Sequence, residues 1–197
     1  MIIFQTPAGI PEHNSLAVEI GNYLKPRISR DYAVLYDTYC YVSHETLESL
    51  GHFKNGDSHE HMQTRLIELG AAPSFVAETL VQLTKQGIMP STYAPDVCVV
   101  KASEYENRFR LPLWIGEIVS KDTRDYDLYF KAYLFERLGV KEYFVFETGH
   151  RSGKLIRAYR LRPAAEGSAQ HYDEIVFDAT SANSEALGVD LPVAWTI

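Results

Sequence analysis

The sequence predicts an α/β domain in which a mixed β-sheet is flanked by helices, with a helical insertion at about 43–90. Three observations lead there. An amphipathic segment at helical spacing comes early in the chain and is followed by a run rich in Tyr and Val. Between 94 and 148, two apolar strand-like runs, a helical run and a third apolar strand succeed one another. The stretch 43–86 carries helical periodicity and no strand signal.

Each element has its own reason. Pro11-Glu12-His13 opens the first helix, whose apolar positions Leu16, Ala17, Ile20 and Leu24 recur at helical spacing before Pro26 ends it. A strand is expected over 31–42. Two or three amphipathic helices follow, broken at Lys54-Asn55-Gly56-Asp57 and at Gly70-Ala71-Ala72-Pro73. A strand over 94–101 carries Asp96, and a longer one over 111–120 carries Glu117. A helix over 124–138 stops at Gly139, the residue type that ends helices in the left-handed conformation. Strands over 140–148 and 154–161 make a hairpin around the Gly149–Gly153 turn, and short strands over 172–177 and 189–195 close the fold.

A chain of 197 residues reads as a single domain, 1–197, long enough to bury a real core. The opening run Met1-Ile2-Ile3-Phe4 lacks the basic flank of a signal peptide, and no apolar run of membrane-spanning length follows. A cytoplasmic protein is expected, with no membrane partner. Cys40 and Cys98 lie in unrelated strand-like runs without metal-site spacing, which suits buried free thiols. A net charge of -7 argues against non-specific coating of nucleic acid by the whole surface, but one local site can still hold a phosphate backbone.

The chemistry concentrates between Pro95 and Glu147. Asp96 and Glu117 sit at the edge of, or inside, apolar strands, where a bare carboxylate costs several kcal/mol unless it is paired, hydrogen-bonded or bound to metal. If the two strands are neighbours, the carboxylates converge on one cation. Mg²⁺ or Mn²⁺ suits such all-oxygen ligands, completed by water and a phosphate. Lys131 can act as a point charge on the attacking water or the phosphate, and Asp127, four residues earlier, shares its helix face. The plainer alternatives are that Asp96 begins a strand and that Asp127 and Lys131 are a solvated ion pair.

Pro95-Asp96, Glu117-Ile118-Val119-Ser120, Asp127-x-x-x-Lys131 and Gly139-Val140-Lys141-Glu142-Tyr143 before an apolar strand resemble, in that order, the Uma2 (DUF820) family of the PD-(D/E)XK endonuclease-like superfamily. Val119 stands where most of the superfamily has its lysine; in the Uma2-like pattern the lysine has moved to the following helix, where Lys131 lies. The resemblance implies a restriction-endonuclease-like fold and metal-dependent hydrolysis of phosphodiesters, with DNA as the expected substrate. It also implies metal ligation by Asp96, Glu117 and the Ile118 backbone carbonyl, and catalysis by Asp96, Glu117 and Lys131. Asp127 and His13 would support them. A competing class is a catalytically inactive nuclease-fold protein that binds nucleic acid or serves assembly.

His44, His52, His59 and His61 follow Cys40 and suggest zinc, but residues two apart do not share a helix face. Arg157 faces away from Arg160 and Arg162 on a strand, which splits the basic cluster that also holds Arg151 and Lys154. Lys101, Arg108 and Arg110 can line a phosphate path. The segment 43–90 holds six acids against three bases, a poor groove binder, so a lid, a homodimer contact or a partner surface suits it better.

Overall fold

Three runs, Val97-Cys98-Val99-Val100, Trp114-Ile115-Gly116-Glu117-Ile118-Val119 and Tyr143-Phe144-Val145-Phe146, are apolar on both strand faces. Strands of that kind must be covered on both sides. The structure, a computed structural model, describes residues 11–43, 46, 56–86, 92–119, 123–147, 155–163, 170–177, 181–193 and 195, the side chains of 11–14, 56–58 and 86 excepted. The elements are α1 (Pro11–Leu24), β1 (Tyr32–Tyr36), β2 (Cys40–Tyr41), α2 (Gly56–Glu68), α3 (Pro73–Gln86), β3 (Thr92–Tyr93) and β4 (Val97–Lys101). There follow β5 (Trp114–Val119), a π-helical turn (Tyr126–Lys131) running into α4 (Ala132–Leu138), β6 (Glu142–Glu147), β7 (Leu155–Arg162), β8 (His171–Phe177), β9 (Ser181–Ser184) and β10 (Val189–Pro192).

The main sheet runs β1-β4-β5-β6-β7-β8. Only β5 and β6 pair in parallel, which requires a crossover between them; the π turn and α4 supply it. The pleat then sorts the side chains. Val97, Val99, Trp114, Ile118, Phe144 and Phe146 face α1 and its buried stripe of Leu16, Ala17, Ile20 and Leu24. Cys98, Val100, Ile115, Val119, Tyr143 and Val145 face the other helices. By the same alternation Asp96 and Glu117 belong to the second face, the one the crossover covers.

The expected strand over 31–42 divides in two. Asp37 takes a positive φ of 44°, which Asp tolerates better than most residues, and the chain leaves the sheet there. Beyond it β2 pairs with β3 in a separate ribbon. That turn brings Cys40 near Cys98, and both are buried free cysteines. β9, made of small polar residues, pairs with β10 in a hairpin that the sequence reading does not anticipate. It is clamped to the sheet by Glu142, which accepts hydrogen bonds from Ser184 Oγ, the Glu185 N–H and Arg160 Nε.

Helices α2 and α3 commit their apolar sides to the core through Met62, Leu66, Val76 and Leu83, and Leu69, just after α2, joins them. Arg65 of α2 reaches α4, where its guanidinium meets Glu136 at 2.7 Å and donates to the Tyr172 carbonyl. Gly139 ends α4 at φ 84°, as expected, with its N–H donating to the Phe135 and Glu136 carbonyls. Among the described residues no helix is long and apolar enough to cross a membrane. The 148–154 hairpin turn lies outside the described residues.

Gly116, next to Glu117, is required by close approach. A Cβ there would lie 2.5 Å from Cη2 of the buried Trp114 ring and 2.9 Å from Val97 Cγ1. Gly116→Ala is therefore expected to destabilise the fold by about 1–3 kcal/mol, read as a lower urea midpoint at unchanged m-value. An unchanged midpoint would contradict the packing described.

Candidate functional site

The antiparallel register Val97↔Gly116 and Cys98↔Ile115 carries back one step to set Asp96 across from Glu117. Asp96 is fixed there because its Oδ2 accepts the Ile118 N–H at 2.7 Å. Asp96 and Glu117 are each 2 % exposed, and the Asp96 charge acts on the Glu117 carboxyl. The crossover then places Lys131 above the pair. Its Nζ lies 3.0 Å from Glu117 Oε1 and 2.8 Å from Asp127 Oδ1, with all three side chains buried. The solvated ion pair is thus ruled out: Asp127 and Lys131 share a helix face, as expected, but that face is turned into the core.

The local helix is not regular. Tyr126–Lys131 forms a π turn, and such turns inside α-helices are frequent at functional sites. It buries Asp127, Leu128, Phe130 and Lys131 together. Tyr143 on β6 pins it by donating its hydroxyl to the Asp127 carbonyl at 2.9 Å. The Tyr126 ring lies 5.9 Å from Lys131 Nζ. The sequence alone predicts a role for neither tyrosine. Tyr143 was visible only as part of the Glu142-Tyr143 pair, while nothing in the sequence marks Tyr126.

The electrostatics follow from charge count and burial. Asp96, Glu117 and Asp127 are three carboxylates against one ammonium, Lys131. Burial pushes the Glu117 carboxyl well above the ordinary carboxylate range; Lys131 opposes the rise, and the neighbouring Asp96 and Asp127 charges reinforce it. Burial works against the Lys131 ammonium, but Glu117 and Asp127 outweigh it and hold the lysine charged. This set suits a hard divalent cation: its ligand atoms are all oxygens, and it carries excess negative charge when fully ionised. Among the described residues no group of three or more His, Cys, Asp or Glu side chains is arranged to hold a metal. A cation here would therefore rest on two carboxylates, with carbonyl, water and phosphate oxygens completing its shell.

Other candidates separate from this cluster. His13 lies in the first turn of α1, with its side chain outside the described residues. Ser120, His44, His52, Arg151 and Lys154 also lie outside them. His59 faces Thr84 across 3.4 Å, and the His61 ring lies 6.2 Å from Tyr133. Glu147 is bound by Arg124 at 2.9 Å and Arg157 at 2.6 Å. Arg160 pairs with Glu142 and Glu185, and Arg162 with Asp173 and Glu185, on the face away from Arg157. The β7 arginines are therefore committed to acids of the same fold and form no free basic stripe.

Residues 53–194 match the Uma2 family, described as "Putative restriction endonuclease"; the span takes in α2 and α3. No match is found among curated proteins. A solved structure described as "a putative nuclease belonging to DUF820" from Anabaena variabilis ATCC 29413 aligns over 96% of this chain and 82% of its own, with a TM-score of 0.53 and 13% identity. That likeness is one of fold.

The raised Glu117 pKa has a consequence for stability. Stability linked to a group raised above its unfolded value near 4.5 is fully present below that pH and is lost as pH rises through the folded value. In metal-free protein, Glu117→Gln should flatten the fall in Tm between pH 4.5 and alkaline pH. Parallel Tm curves for variant and wild type would contradict it.

Proposed function

Because the chain belongs to the Uma2 family, we propose that it is a Mg²⁺- or Mn²⁺-dependent endonuclease that hydrolyses phosphodiester bonds in DNA. The observation that carries the reading is the buried meeting of Asp96, Glu117 and Asp127 with a single Lys131. Charge of that sign and density, on the face covered by the crossover, suits a bound divalent cation and a phosphate.

Asp96 and Glu117 would hold the cation, with the Ile118 carbonyl as a further oxygen. When bound, the cation supplies Lewis acidity and a water of lowered pKa. Asp96 is held ready by the Ile118 N–H, which fixes one carboxylate oxygen. Lys131 would hold the attacking water or a phosphate oxygen by charge. Asp127 orients that ammonium from the neighbouring turn, and Tyr143 holds the turn. His13 is a supporting group by family likeness. The alternative, a nuclease fold kept for nucleic-acid binding or assembly, differs in one measurable respect: it binds without turnover.

Calorimetric titration of Mn²⁺ and Mg²⁺, followed by cleavage assays on single- and double-stranded DNA, tests the proposal. Asp96→Asn and Glu117→Gln should lose both cation binding and cleavage. Lys131→Met should keep cation binding and lose at least about a hundredfold in cleavage rate. Without metal, the same variant should be less stable by about 3–5 kcal/mol at neutral pH, because three carboxylates then lack their ammonium. Cation binding with no cleavage of any nucleic acid would favour the alternative; no cation binding in the wild type would refute the metal site.

A further inference from the structure

All four exposed aromatic rings of Tyr, Phe or Trp among the described residues, those of Tyr39, Tyr41, Tyr105 and Phe109, lie in two segments of the chain. Those segments are joined. The Tyr41 N–H donates to the Arg108 carbonyl at 2.9 Å, and the Tyr41 and Phe109 rings meet edge to face with centroids 6.5 Å apart. Tyr41, Tyr105 and Phe109 are 41%, 49% and 46% exposed. The Arg108 guanidinium lies 4.8 Å from the Phe109 ring centre. Arg110 turns the other way, donating to the Tyr105 carbonyl at 2.6 Å and setting its charge against Cys40 and Cys98, so it braces the loop from within.

The patch is tied to the carboxylates. The Asp37 N–H donates to the Asp96 carbonyl at 3.3 Å, and Tyr39 and Tyr41 follow Asp37 by two and four residues. Fully extended, those steps reach no more than about 7 and about 14 Å. The patch therefore lies within reach of nucleotides flanking a phosphate held at Asp96 and Glu117.

Ordinary electrostatic capture of nucleic acid is weak in this molecule. The net charge is -7 and the β7 arginines are paired internally. At the patch itself Lys101 lies 4.0 Å from Glu104, and Glu106 is exposed in the same loop. Stacking supplies affinity without a strong positive field, and it needs bases whose faces are not already covered in a duplex.

We infer that Tyr41 and Phe109, with the Arg108 guanidinium, form a stacking platform for unpaired bases, so that the substrate is nucleic acid with a single-stranded stretch beside the cleaved phosphate. The inference rests on the nuclease reading above for the cleavage, but the platform's binding is separable from it. It predicts sequence-tolerant binding with a shallow salt dependence, since few phosphates are neutralised.

The test is fluorescence anisotropy of a labelled oligothymidylate and of a duplex of equal length, in EDTA, so that neither cation nor cleavage contributes. Wild type should bind the single strand more tightly. The Tyr41→Ala/Phe109→Ala double variant, folded by circular dichroism, should lose at least about tenfold. Phe109→Trp should bind as wild type does, with its indole emission quenched by the oligonucleotide; this arm decides if the double variant fails to fold. Equal affinity for duplex and single strand, undiminished binding by the double variant, or no binding by wild type would overturn the platform. So would a change in sedimentation alone, which would make the patch a contact between copies of this chain. Calorimetry with Mn²⁺ on the double variant keeps the two readings apart. Retained cation binding with lost oligonucleotide binding upholds both, whereas a wild type that binds oligothymidylate but no cation upholds the platform and refutes the nuclease.

Discussion

Three carboxylates and one ammonium share a buried space between β4, β5 and the crossover that follows them, and much of the local architecture answers to that charge imbalance. Lys131 is held charged because Glu117 and Asp127 lie within 3.0 Å of it. Burial pushes the Glu117 carboxyl well above the ordinary carboxylate range, and the Asp96 and Asp127 charges add to the rise that the one ammonium opposes. A fold optimised for stability alone would place apolar side chains here, since buried ion pairs rarely stabilise more than well-packed hydrophobic groups do. Retaining such a cluster makes sense if something cationic completes it.

The backbone makes the arrangement almost unavoidable once the strands are paired. Alternation along β4 and β5 puts Asp96 and Glu117 on one face, and the parallel pairing of β5 with β6 sends the connecting helix over that same face. The π turn then buries Asp127 and Lys131 together, and the Tyr143 hydroxyl, delivered by the very strand the crossover leads into, secures the turn. Opposite, Gly116 leaves room for the buried Trp114 ring against β5, so the strand that carries Glu117 is packed from behind.

The central elements were legible because their signals are local. Helical spacing marked α1, apolar runs marked β4 to β6, and Gly139 marked the end of α4. Asp96 and Glu117 were legible as charges out of place in apolar strands, and Lys131 through its place in the ordered motif. What escaped depends on long-range contacts. Nothing in a stretch of Tyr and Val announces that Asp37 will turn the chain out of the sheet and bring Cys40 to Cys98. The small polar residues of β9 look like loop, and become strand only because Glu142 and Arg160 anchor the hairpin from 23 to 43 residues away. The basic cluster of β7 illustrates the reverse case: its faces were read correctly, but the acids that neutralise it come from β6, β8 and the β9–β10 turn.

The central claim is that burial and the neighbouring carboxylates hold the Glu117 carboxyl's pKa well above its ordinary value, and that a divalent cation lowers it. A direct measurement is the titration of the Glu117 side-chain carboxyl by ¹³C NMR, assigned with the Glu117→Gln variant, in metal-free protein and again with saturating Mg²⁺. The account predicts a midpoint well above the ordinary glutamate value without metal and a marked fall when Mg²⁺ is added. A midpoint near 4.5 in both conditions would mean that the charge is already balanced within the fold and would contradict it.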